Sequence, residues 1–137
     1  MNDGMNMQGP SNDDYETPPW LFKALDAEFG FTFDAAANEK NALCDRWGPR
    51  DTERFGERVF CNPPYSNVDL FVDRAMCSKN LWILLLPSRT DTRWFQSLME
   101  EPRASLRFFR KRVRFCLDGQ VADSPRFGSV VAVIKPR

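Results

Sequence analysis

The segment Leu81-Trp82-Ile83-Leu84-Leu85-Leu86 is apolar at every position. A half-buried strand alternates apolar and polar residues, so an unbroken run of this length must be covered on both faces, as in the centre of a parallel sheet. It is also far too short to span a membrane. A chain organised around such a strand needs helices on both sides of a sheet, which directs it to the α/β class. The flanking segments supply them. Val68, Leu70, Phe71, Ala75 and Met76 form a helical stripe from Asn67 to about Lys79, and a shorter helix is expected around Thr92 to Met99. Upstream, Thr17-Pro18-Pro19 looks like a helix start with Thr17 as N-cap; Leu21, Phe22, Leu25 and Phe29 give the stripe, and Gly30 ends it.

Shorter strands are expected at Phe31 to Phe33, ending on Asp34, and at Val59-Phe60-Cys61. After Pro102 the period becomes two over Leu106 to Phe109, Val113 to Leu117 and Ser129 to Ile134, with Asp118-Gly119 as a turn signal. Residues 38–57 are polar and irregular. The expectation is an α/β fold with a mostly parallel sheet and an antiparallel C-terminal edge.

A chain of 137 residues with 42% hydrophobic residues is expected to form one domain, here residues 15–137 behind a polar, disordered tail at 1–14. That N-terminus has no basic segment followed by an apolar one, so no signal peptide is expected. Cys44, Cys61, Cys77 and Cys116 are widely spaced and read as reduced thiols of a cytoplasmic protein. Histidine is absent, which excludes the usual zinc sites, the Ser-His-Asp triad and any imidazole base; no metal is expected. Net charge is zero but uneven: residues 1–60 carry 12 acidic and 6 basic side chains, residues 61–137 carry 7 and 13. Arg103, Arg107, Arg110, Lys111, Arg112 and Arg114 concentrate the surplus, which suits either a polyanionic partner or a solvated surface.

The chemically informative segment is Asn62-Pro63-Pro64-Tyr65, immediately after the strand at 59–61. Strand ends of this kind lie at the carboxyl edge of an α/β sheet, where ligands bind. The side-chain oxygen of Asn62 and the carbonyl of Pro63 are two acceptors beside an aromatic ring, Tyr65. That set suits a planar base carrying an NH₂ group. A rigid structural turn is the alternative use of Asn-Pro-Pro.

The segment resembles the N-P-P-Y signature of amino-methyltransferases. With Tyr15-Glu16-Thr17-Pro18-Pro19-Trp20-Leu21-Phe22, Phe33-Asp34-Ala35-Ala36-Ala37, Leu84 to Phe95 and Lys111-Arg112-Val113-Arg114-Phe115, it gives the chain the look of the phage-type, Dam-like DNA N6-adenine methyltransferases from about Tyr15 to Ile134. The resemblance implies a reduced Rossmann-like class I methyltransferase fold, S-adenosylmethionine as cofactor and duplex DNA as substrate, with no membrane partner. Asn62, Pro63, Pro64 and Tyr65 would act on adenine N6. Tyr15, Thr17, Pro18, Asp34, Ala35, Ala36 and Asp51 would hold the cofactor, Thr17-Pro18 at its methionine end and Asp34 at its ammonium; the alternative use of Asp34 is as N-cap of a following helix. For the ribose, Asp45, Asp51 and Glu53 are all candidates. Arg110, Lys111, Arg112 and Arg114 would hold phosphates, and Phe115 or Phe127 would either give a second stacking face or serve, at least as readily, as core.

Two departures stand out. The loop after Asp34 is alanine-rich where the family is glycine-rich, and only 27 residues separate Asp34 from Asn62. Without room for a target-recognition domain, specificity is expected from loops, from a homodimer, or to be loose. Competing readings are methylation of an RNA base or a glutamine amide, and a non-catalytic nucleic-acid-binding module that kept the fold.

Overall fold

The computed structural model describes residues 12–122 and 127–137. Three parallel strands, β1 (Phe33–Asp34), β3 (Arg58–Cys61) and β4 (Leu81–Pro87), run side by side, with β2 (Arg46–Trp47) outside β1. Beyond β4 lies β8 (Ser129–Ile134), antiparallel to it, and beyond that β5 (Ala104–Phe108), antiparallel to β8 and so aligned with β4. The order is β2-β1-β3-β4-β8-β5. The sheet is thus mostly parallel with an antiparallel C-terminal part, and the reversed strand sits one place in from the edge.

Alternation along the central strands divides the core into two layers. Val59, Cys61, Trp82, Leu84, Leu86, Val130, Ala132 and Ile134 pack with Val68, Val72 and Ala75 of α2 (Val68–Cys77) and Phe95 and Leu98 of α3 (Arg93–Glu100). On the opposite face Phe60, Ile83, Leu85, Val131 and Val133 pack with Leu21 and Leu25 of α1 (Pro19–Phe29), and with Val113 and Phe115. The apolar run at 81–86 is buried on both faces, as its composition requires; each such side chain contributes about 1.5–3 kcal/mol.

Gly30 ends α1 in the left-handed region (φ 65°), where its N–H bonds to the Asp26 carbonyl. Thr92 caps α3 by accepting from the Phe95 N–H. Asp118 and Gly119, both at positive φ, turn the hairpin of β6 (Cys116–Leu117) and β7 (Gln120–Val121), which stands apart from the main sheet. The extended segment expected from Val113 is therefore strand only at its end.

One expectation at α1 fails. Its N-cap is Pro18, which makes no side-chain cap bond, and Thr17 turns its hydroxyl elsewhere. Between β1 and β3 the short spacing is met by omission: residues 35–45 hold turns without a helix, β2 has 2 residues, and Arg50–Thr52 is a 3-10 turn. Of the segment 1–14 expected to be disordered, residues 1–11 lie outside the described residues; Asn12–Asp14 form a 3-10 turn, and Asp13 accepts from the Ser66 N–H (2.9 Å) and Oγ (2.6 Å).

The topology gathers the loops at one edge. The chain leaves β1 for β2 on one side and returns to β3 on the other, so the strand order reverses between β1 and β3, where open α/β sheets form a crevice. Asp34 and Asn62 end or follow those two strands. The loops after β4 and β5 and the segment before β8 emerge at the same edge, because β5 runs with β4 and β8 against it.

Candidate active site

A cavity of about 330 Å³ opens at this crevice. Tyr15 and Thr17 line it from the segment before α1, Asp34 and Ala36 from the end of β1, and Asn62 from the end of β3. Cys116 and Gly119 of the β6–β7 hairpin close another side. The hairpin is tied in place by Glu16, which exchanges backbone bonds with Cys116 (2.8 and 2.9 Å) and accepts from the Gly119 N–H at 3.1 Å.

Asp34 is the buried charge of the site. Desolvation pushes its pKa up to about 6, opposed by backbone N–H bonds from Leu43 and Ala36; the Leu43 N–H lies 3.0 Å from Oδ2. No helix follows β1, so the alternative of Asp34 as a helix cap is corrected: it anchors the loop at Leu43. Asn62 is half-buried, and its Nδ2 donates to Thr17 Oγ1 at 3.0 Å and to the Tyr15 carbonyl at 3.5 Å. Its Oδ1 is the end not used in these bonds.

A second, more apolar groove of about 510 Å³ shares Ala36 and Ala37 with the first. Ala35, Trp47, Pro64, Leu70, Phe71 and Arg74 line it. Arg74 donates to the carbonyls of Ala35 (3.4 Å) and Gly48 (3.3 Å) and pairs with Glu53 at 3.3 Å. Glu53 also accepts from Ser78, Asn80 and Trp82 Nε1. This carboxylate is engaged by four side chains and lines neither of the two cavities. Asp45 and Asp51 are exposed and line neither cavity, although Pro49 and Arg50 beside Asp51 line the groove.

Not every expected residue reaches the cavities. Pro18, Pro63 and Tyr65 line neither. Tyr65 packs edge-on to Tyr15 and Phe115, and burial of its hydroxyl, near Ser129, pushes its pKa up to about 12. Phe115 is 1% exposed and stacked on Tyr15 at 5.4 Å, so it offers no face to a base; its expected contact with nucleic acid is corrected to a core role. Phe127 is half-buried beneath the Arg89 guanidinium at 4.9 Å. The helix start is also poorer in donors than expected: Pro19 has no N–H, and that of Leu21 bonds to the Pro18 carbonyl.

Of the basic cluster, Arg107 forms a two-pronged pair with Glu28 (2.6 and 2.7 Å), and Arg103 pairs with Glu101 at 3.1 Å. Arg110, Lys111, Arg112 and Arg114 are exposed on the segment after β5, at the edge that carries the cavity. Sequence reasoning missed Leu43, Trp47, Leu70, Phe71 and Arg74. The last three belong to the α2 stripe or its neighbour, where helical spacing alone reads as core. Among the described residues, no cluster of His, Cys, Asp or Glu could hold a metal, and no helix is long and apolar enough to cross a membrane.

The family described as DNA N-6-adenine-methyltransferase (Dam) matches residues 4–136. A DNA N-6-adenine-methyltransferase of Escherichia phage T1 is 32% identical over 102 residues, covering 67% of this chain and 43% of that protein. The chain thus matches less than half the length of this relative.

Proposed function

This chain belongs to the Dam family of DNA N-6-adenine-methyltransferases, and on that premise we propose that it transfers a methyl group from S-adenosylmethionine to the N6 amine of adenine in duplex DNA, in the cytoplasm of a host cell. The observation that carries this reading is Asn62, held by its amide nitrogen and lining one cavity together with the buried Asp34.

The residues fit the cofactor. Asp34 is a buried carboxylate with cause to accept an ammonium, since a cation would offset the desolvation that raises its pKa. Ala36 and Ala37 join the two cavities with side chains small enough for close approach. The groove of Trp47, Leu70 and Phe71 suits the adenine end, and Asp51, next in sequence to the groove-lining Arg50, is a ribose candidate beside Asp45. When bound, S-adenosylmethionine supplies an electrophilic methyl group on sulfur.

The chain's own contribution is positioning. An exocyclic amine is a poor nucleophile because its lone pair is delocalised into the ring. Asn62 Oδ1 and the Pro63 carbonyl would accept its two hydrogens and draw them out of the ring plane, localising the lone pair toward the methyl group. The amine carries its hydrogens into the product and sheds one readily afterwards, so the absence of histidine is no obstacle. The adenine must leave the duplex to reach Asn62, and the exposed basic residues at 110–114 would hold the flanking phosphates. Tyr65 would bound the base pocket with its ring.

The test is direct. Unmethylated duplex DNA is incubated with the protein and methyl-labelled S-adenosylmethionine, then digested to nucleosides. N6-methyldeoxyadenosine is the expected labelled product. Label in methylcytosine, in RNA or in glutamine side chains, with none in deoxyadenosine, overturns the substrate.

A further inference from the structure

The resemblance assigns Thr17 to the cofactor, but its hydroxyl is engaged with Asn62. Thr17 is 8% exposed and does not cap α1, whose N-cap is Pro18. Instead Oγ1 accepts from Asn62 Nδ2 at 3.0 Å, and the Tyr15 carbonyl lies 3.5 Å from the same nitrogen. A carbonyl can only accept, so it decides which end of the Asn62 amide is the nitrogen. The segment bearing both acceptors is itself held on either side: Asp13 accepts twice from Ser66, and Glu16 is bridged to Cys116 and Gly119.

We propose that Thr17 is a positioning residue for methyl transfer: with the Tyr15 carbonyl it engages the N–H groups of Asn62, so that only Oδ1 can meet the incoming amine. The proposal rests on the amine-methyltransferase reading above. Its physical basis is the two-faced nature of an asparagine side chain. A free amide can present either its oxygen or its NH₂, and the NH₂ end would set donor against donor at an amine. Binding the nitrogen end beforehand removes that unproductive orientation before the base arrives. It also makes the site selective, since a base with a ring carbonyl at that position would meet an acceptor.

Three measurements on the intact protein test this: the single-turnover rate of methyl transfer at saturating cofactor and DNA, the Kd for S-adenosylmethionine, and hydrogen exchange of the Asn62 side-chain amide by nitrogen-15 NMR. Thr17→Val keeps the shape and removes the acceptor, while Thr17→Ser restores it. Thr17→Val is expected to lose about tenfold in rate, corresponding to the loss of one hydrogen bond. Its cofactor Kd should be unchanged and its Asn62 amide exchange faster, and Thr17→Ser should recover most of both. A Thr17→Val variant with the wild-type rate overturns the proposal. So does a rate loss matched by an equal loss of cofactor affinity, which would make Thr17 a cofactor contact. If Thr17→Val does not fold, the wild-type amide decides: slow exchange of the Asn62 NH₂ supports the proposal and free exchange overturns it. A wild-type protein that methylates no base at all overturns the adenine reading instead, and the amide exchange still tests the orientation.

Discussion

Burial raises the Asp34 carboxyl to a pKa of about 6, against N–H bonds from Leu43 and Ala36 that oppose the shift. Ionisation is therefore a cost to the fold, complete above about pH 6 and lost only as pH falls from 6 to the unfolded value near 3.8. With an unfolded value of 3.8, that cost is about 3 kcal/mol at neutral pH. Asp34→Asn should accordingly melt higher than wild type at pH 7.5, and the difference should shrink as pH falls through 6 toward 4. If the carboxylate holds the cofactor's ammonium, the same substitution should abolish cofactor binding. Wild-type affinity should in turn be about tenfold weaker at pH 5 than at pH 7.5, measured by calorimetry. A pH-independent affinity would take Asp34 out of the cofactor site. Asn62 makes the complementary prediction. Asn62→Ala removes an acceptor aimed at the amine and should lower kcat about 100- to 1000-fold, with cofactor Kd near wild type. Near-normal turnover would overturn the mechanism even if the protein methylates DNA. Both residues were legible in the sequence because strand ends and the N-P-P-Y run mark them. The bond from Asn62 to Thr17 was not, because a threonine before two prolines reads equally well as a helix cap.

Among the elements, α2 does more than cover the sheet. Its Arg74 lines the groove and reaches the carbonyls of Ala35 and Gly48, joining the loops after β1 and β2 to the Glu53 network. Both partners are nearly buried, so removing the cation leaves Glu53 uncompensated. Arg74→Met should cost about 3–5 kcal/mol in a denaturant titration. It should also weaken cofactor binding, because the two loops lose their common tie. Arg74→Lys should fall between, since an ammonium lacks the planar fork that spans several acceptors. A full-stability Arg74→Met would show the brace to be dispensable. The helix itself was readable from its apolar stripe, ending within two residues of expectation. Arg74 was not, since a lone arginine on a helix reads as surface until the carbonyls that it meets are known.

Across the whole molecule, charge and topology combine. The cavity and the exposed run Arg110, Lys111, Arg112 and Arg114 share one edge of the sheet, because β5 is aligned with the parallel strands and delivers the run there. If these residues meet phosphates, the logarithm of DNA affinity should fall linearly with the logarithm of salt concentration. The quadruple alanine variant should then reduce the slope by about 0.9 per lost contact. An unchanged slope in that variant would make the run solvated surface. Arg103 and Arg107 should contribute little, because Glu101 and Glu28 already pair with them.

The sequence by itself determined the sheet's central strand, the flanking helices, the strand that ends on Asn62 and the membership of the chain in its family. These follow from local rules: periodicity, turn chemistry and a contiguous motif. Tertiary structure alone decided how distant segments complete the site. Thr17 on Asn62, Phe115 stacked on Tyr15, Glu53 turned inward to Arg74 and β8 inserted between β4 and β5 are all pairings between residues far apart in the chain. A side chain's role at such a point depends on which groups share its burial. Phe115 carries the same apolar ring whether it stacks on a base or on Tyr15, and only the folded chain supplies the neighbour.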